Sequence, residues 1–212
     1  MNNTSVIEAG DFGRWLNLTR AAEAADVPCG ECNACCRASY FIHIAEHEEE
    51  TRKHVPQALI FPAPGSGGKQ WVMGFDDTGK CPMLTQNSCS IYPHRPQTCR
   101  DYDCRVFAAA GISARQAGEG DVKAEVDEQV RRWRFSYRNS EDKRKHEAVK
   151  AAAAYIKKYQ QQLGELTPST PTALALASLH IHELFLTEGV PGLVTPDLQA
   201  VKAHLAPLPS GD

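Results

Sequence analysis

The spacing of apolar positions makes the second half of the chain helical. Val149, Ala152, Ile156, Tyr159 and Leu163 recur at intervals of three and four, one apolar face of a helix running from His146 to Leu163. Gly164 supplies its stop. Thr170 and Pro171 then stand as the N-cap and first residue of another helix. That helix, ALALASLHIHELFL, is apolar on most sides and so reads as buried. Upstream, residues 121 to 145 mix charges of both signs, and RRWRFSYR at 131 to 138 suits an amphipathic helix turning Trp133 or Phe135 to the core. At the other end, residues 11 to 26 are good helix formers behind Asp11 as N-cap. Val27-Pro28 ends that helix in extended backbone, because the residue before proline avoids the helical region.

Between these helical ends the pattern shortens. Tyr40 to Ile44 reads as a short strand, and Glu46 to His54 as a charged helix that Pro56 stops. FPAPGSGGK, residues 61 to 69, is a loop by composition. QWVMGF reads as a strand and DDTG as a turn, so residues 70 to 84 predict a hairpin presenting Cys81 near its far end. Asn87-Ser88 is a second turn, swinging Cys89 back towards Cys81. The fold class expected is α+β: a small Cys-rich, metal-organised core with short strands or a hairpin, packed with several helices. We expect an N-terminal helix over 1–28, a cysteine-cluster domain over 29–110, a helical region over 111–188 and a Pro-rich tail over 189–212. A short helix after Thr195-Pro196 fits that tail, and its end, APLPSGD, is expected to be disordered.

Composition narrows this little. A length of 212 residues with 42% apolar and 23% charged content is that of an ordinary globular protein. No apolar run approaches the roughly 20 residues of a spanning helix. The N-terminus MNNTSVIEAGDFGR has neither the basic nor the apolar region of a secretory signal. A soluble, cytoplasmic protein is the expectation, with no membrane partner. The formal net charge of −3 gives no whole-chain attraction to nucleic acid.

The cysteines change the picture. All eight lie between Cys29 and Cys104, in two groups: Cys29, Cys32, Cys35 and Cys36, then Cys81, Cys89, Cys99 and Cys104. Two intervening residues let successive thiolates of CGECNACC point at one centre, about 2.3 Å from each sulfur. Three cysteines so spaced, with others far downstream, also match half of a bacterial iron–sulfur site. Neighbouring side chains diverge, so at most one of Cys35 and Cys36 is expected at the first centre. The other is then a ligand to a second metal, a cluster-adjacent thiol or a redox-active cysteine. A disulfide framework needs an oxidising compartment, and inert buried cysteines would account for one or two of the eight rather than the set. Metal is the favoured reading.

At these residues the sequence resembles the CxxCxxCC cysteine-cluster family of zinc- or iron-chelating domain proteins. The resemblance rests on Cys29, Cys32, Cys35 and Cys36, on Cys81-Pro82 with Leu84, on Cys89 with Ile91-Tyr92, and on Arg95-Pro96 with Cys99-Arg100. It implies bound zinc or iron. A better-understood relative, flagellin lysine methylase, carries such a motif with an iron–sulfur cluster, which leaves an enzyme open here. No Gly-rich turn follows a clear strand, the feature of a nucleotide-type cofactor loop.

The remaining candidates are weighed against plainer roles. A four-thiolate centre carries net negative charge, so Arg95 and Arg100 are expected to stand around the ligands, with pairing to Asp101 and Asp103 as the alternative. Tyr92, Arg95 and Asp101 mark where a reaction site would lie. His43, His47 and His54, with Glu48 to Glu50, read as a solvated helix face. His180 and His182 sit two apart, on different faces. GSGGK lacks the spacing of a phosphate loop. RRWRFSYR could stack on single-stranded nucleic acid, but its acidic neighbours dilute the charge. The function expected is a metal-binding protein holding an iron–sulfur cluster, four-iron in type, or iron. It would serve as a redox or protein/RNA-modification factor with a protein partner or substrate. A zinc-organised binding module is the alternative, and metal storage or delivery a third.

Overall fold

The computed structural model describes residues 5–21, 27–116 and 121–206. In chain order, β1 (Ile7–Asp11) leads into α1 (Phe12–Arg20); β2 (Ile42–Ala45), α2 (Glu49–His54), β3 (Ile60–Pro62) and β4 (Gln70–Met73) follow the first cysteine group. The two-residue strands β5 (Leu84–Thr85) and β6 (Ser88–Cys89) precede α3 (Gln97–Asp101) and α4 (Arg105–Ala110). The second half holds α5 (Ala124–Arg132), β7 (Trp133–Ser136), α6 (Ser140–Lys158), α7 (Gln160–Leu163), α8 (Pro171–Ile181) and α9 (Leu198–Leu205). The class is α+β. Among the described residues no helix is long and apolar enough to cross a membrane.

These elements form two compact units. One gathers described residues 5–21, 104–116 and 130–206, and the other 27–103 and 121–129. In the first, α6 presents Ala148, Ala152, Tyr155 and Ile156 to Ala177, Ile181 and Phe185, with Val201 and Leu205 of α9 closing the cluster. Of the periodic face read from the sequence, Ala152, Ile156 and Leu163 join this core, Tyr159 packs against it, and Val149 is fully buried. Thr170 caps α8, its hydroxyl accepting the Ala173 N–H at 3.1 Å, with Pro171 at the first helical position. Asp11 caps α1 by accepting the Arg14 N–H at 2.8 Å. That helix ends at Arg20, and the expected continuation over 22–26 lies outside the described residues. So does the end of the tail beyond 206.

The run RRWRFSYR is not a helix throughout. The helix α5 ends at Arg132, and Trp133 begins a strand that pairs in parallel with β1, Ile7 opposite Trp133 and Asp11 opposite Ser136. Trp133, Arg134, Phe135 and Ser136 alternate inward and outward, the period of two that a strand requires. Trp133 packs away from solvent, and Phe135 meets Trp15 at 4.9 Å between ring centroids. Both aromatics therefore face the core, as expected, but from a strand.

The second unit is built on a three-stranded antiparallel sheet in the order β2-β4-β3. Ile44, Val55, Met73, Met83 and Ile91 make its core, with Cys81 and Cys89 packed against it. The predicted 70–84 hairpin is absent there, because β4 pairs with the two earlier strands. Residues 76–80 instead close on themselves. One carboxylate oxygen of Asp76 accepts the N–H groups of Thr78 and Lys80 and the Thr78 hydroxyl, and Gly79 takes a positive φ of 77° that favours glycine. The hairpin in this region is the smaller β5–β6 pair, turned through Gln86 and Asn87.

Candidate metal centre

Three segments of the second unit bring four thiols together. The first cysteine loop ends in a 3-10 turn, Ala34–Arg37, which carries Cys35 and Cys36. The Cys81 N–H donates to the Cys36 carbonyl at 2.7 Å, so the two cysteine groups are joined at the backbone. The turn after Cys81 and the β5–β6 pair then return the chain to Cys89. Cys99 comes from α3. Glu48 positions that helix, one carboxylate oxygen accepting the Gln97 N–H at 2.6 Å and the other the Ala45 N–H at 2.7 Å. Thr98 adds a bond from its hydroxyl to the His43 carbonyl at 2.9 Å.

The four sulfurs feel one another. Charge on Cys36 acts on Cys81, Cys89 and Cys99, and Cys99 also senses Cys81 and Cys89. Burial is the first cause holding Cys81 up at about 11 and Cys99 up at about 12, and it also raises Cys89. Cys36 is raised furthest, by the hydrogen bond with the Cys35 side chain and then by burial. Acting the other way, backbone N–H groups of Met83 and Leu84 donate to the Cys81 sulfur, and that of Ile91 to the Cys89 sulfur. Arg95 favours the thiolates of Cys89 and Cys99, and Arg37 that of Cys36. Half-buried thiols facing preset donors and cations are expensive to ionise alone and well placed to ionise onto a metal.

The other expected residues are distributed as follows. Of the neighbouring pair, Cys36 faces the thiols of the second group while Cys35 bonds to Cys36. Cys29 and Cys32 stay in the first loop, half-buried, with the Cys32 N–H donating to the Cys29 carbonyl at 3.0 Å. Cys104 belongs to the first unit, where it is buried and its sulfur accepts the Trp133 indole N–H at 3.1 Å. Arg95 lies over the Tyr92 ring, 4.0 Å from its centroid. Arg100 donates to the carbonyls of Arg95 and Pro93, at 3.1 and 3.4 Å, and so braces the loop before α3. Asp101 accepts from the Gln97 side chain at 2.6 Å. His43, His47 and His180 are exposed, as expected. His182 is fully buried and donates from Nδ1 to the Leu179 carbonyl at 2.7 Å.

Three contributors were missed in the sequence. Arg37 bonds to the side chains of Asn33 at 2.9 Å and Asn87 at 3.3 Å, tying the cysteine loop to the β5–β6 turn. Asn33 reaches the same turn through the Asn87 carbonyl at 3.1 Å. Glu48 was read among solvated carboxylates. The available signal was an arginine directly after Cys35-Cys36; Asn87 was read only as a turn residue, and nothing local marked Glu48.

A set of thiols gathered from distant segments, with backbone donors to sulfur and arginines beside it, defines a cysteine-cluster metal-binding protein. Residues 28–132 match the model of the CxxCxxCC family, described as "Putative zinc- or iron-chelating domain". No curated protein and no solved structure matches the chain.

Proposed function

We propose that Cys36, Cys81, Cys89 and Cys99 hold an iron–sulfur cluster and that the protein serves as a redox or modification factor. The observation carrying this reading is the convergence of four mutually interacting thiols from three segments, two of them met by backbone N–H donors. A closed zinc site on the same four thiolates, with Zn–S near 2.3 Å, is the alternative.

Such a cluster supplies one-electron transfer when bound. The chain's own residues supply the setting. Cys81 and Cys89 pack on the apolar core, Met83, Leu84 and Ile91 donate to sulfur, and Arg95 and Arg37 offset negative charge. Cys35 stands beside Cys36, and with Cys29 and Cys32 it remains for a second metal or as a thiol. Elemental analysis and absorption of protein purified without oxygen test the reading, using wild type, Cys36→Ser and Cys104→Ser. Iron, acid-labile sulfide and a broad visible band are expected in wild type and Cys104→Ser, and lost in Cys36→Ser. Colourless protein carrying zinc would sink it and leave the zinc-organised binding module.

A further inference from the structure

A different set of ligating groups sits on the surface of the same unit. Glu50 and His54 are four apart on α2, hence on one face of the helix. His94, on the 3-10 turn Tyr92–His94, lies against them, its ring stacked on that of His54 with centroids 3.7 Å apart and an 8° interplanar angle. One ligand atom from each of Glu50, His54 and His94 lies within 4.8 Å of the others. It is the one such group of three among the described residues.

Two details prepare these groups for a metal. His54 Nδ1 lies 2.8 Å from the Glu50 carbonyl, a bond it can only donate, so Nε2 keeps its lone pair. A bond of this kind from the far ring nitrogen to a carbonyl fixes the tautomer of ligating histidines. Lys53 engages Glu50 Oε1 at 2.6 Å, which leaves Oε2 for another cation. Parallel stacking sets the two lone pairs side by side rather than converging. The His94 ring must therefore turn about χ2, for which its half-exposed position leaves room, while His54 stays on its Glu50 bond. Metal–nitrogen bonds of about 2.0–2.1 Å then need only a small closing of the three atoms.

We propose that Glu50, His54 and His94 form a solvent-open site for a divalent borderline ion such as Zn²⁺, separate from the cysteine centre. Two imidazoles and a carboxylate suit that class of metal, and three protein ligands leave a coordination position open for water or a small anion. The test is calorimetric titration of Zn²⁺ into protein whose cysteine centre is already loaded. One additional binding event is expected. His54→Gln and His94→Gln should each weaken it about tenfold or more, with the cysteine-bound metal retained, while His180→Gln leaves it unchanged. Wild-type protein gives a reading that needs no variant: long-range ¹H–¹⁵N spectra should show Zn²⁺ shifting the ring nitrogens of His54 and His94. An absent event, one that survives both substitutions undiminished, or unmoved ring signals would overturn the proposal.

Discussion

His146 is buried in an aromatic pocket of the first unit. Its ring stacks on Phe12 at 4.4 Å between centroids, and Nδ1 meets the Tyr137 hydroxyl at 2.7 Å. Burial first, and the Lys150 charge second, press its pKa from 6.5 down to about 4, while the nearby Ala108 and Ala109 backbone acts in the opposite sense. The folded state therefore binds this proton less readily than the unfolded one. Stability from this group is complete above about pH 6.5, falls as pH drops towards 4, and levels off below that. The whole loss is on the order of 3 kcal/mol. Urea denaturation across that window should show stability rising with pH, and His146→Gln should flatten the slope. An unchanged slope in the variant would remove His146 as its source. The sequence offered only a histidine at the start of a periodic face; the aromatic partners come from α1 and from residues 135–137, which no local pattern links to it.

At the scale of elements, the legible parts were those whose signals are local. Asp11 and Thr170–Pro171 announced helix starts because a cap acts within three residues. The face of α6 was legible because Val149, Ala152 and Ile156 recur along it at helical spacing. The strand β7 was not, since four residues alternating behind a charged helix resemble its continuation and β1, its partner, lies at the far end of the sequence. The cysteine groups showed that a centre exists. They could not show that α3 is held to β2 by Glu48, which joins residues 45 and 97. Glu48→Ala removes both bonds, and the expected cost is about 1–3 kcal/mol in the unit that carries the centre. Denaturation followed by the signal of Trp71, which stands in β4 of that unit, measures it. A midpoint equal to wild type would mean the clamp contributes nothing.

On the scale of the whole molecule, the division into two units separates what depends on metal from what does not. The unit with β2, β3 and β4 has a small apolar core, and two of the residues packed on it are Cys81 and Cys89. The helical unit is held by the larger cluster of α6, α8 and α9. Chelation is therefore expected to open the cysteine-bearing unit and spare the helical one, since a bound metal's free energy is folding free energy for the elements it joins. Limited proteolysis after chelator treatment should cut within residues 27–103 while leaving 140–206 intact. Uniform digestion, or none, would contradict this division.

The pairing of β1 with β7 also has a consequence for the order in which the protein is made. Ile7 cannot meet Trp133 until synthesis has passed the whole cysteine-bearing segment. During that interval the first strand stands without its neighbour, while every thiol from Cys29 to Cys99 has already been translated. Closing so long a loop costs entropy that no nearby contact returns. The thiols from Cys29 to Cys99 are thus open to metal before β1 can meet β7, so the availability of metal during translation bears on how this protein is born.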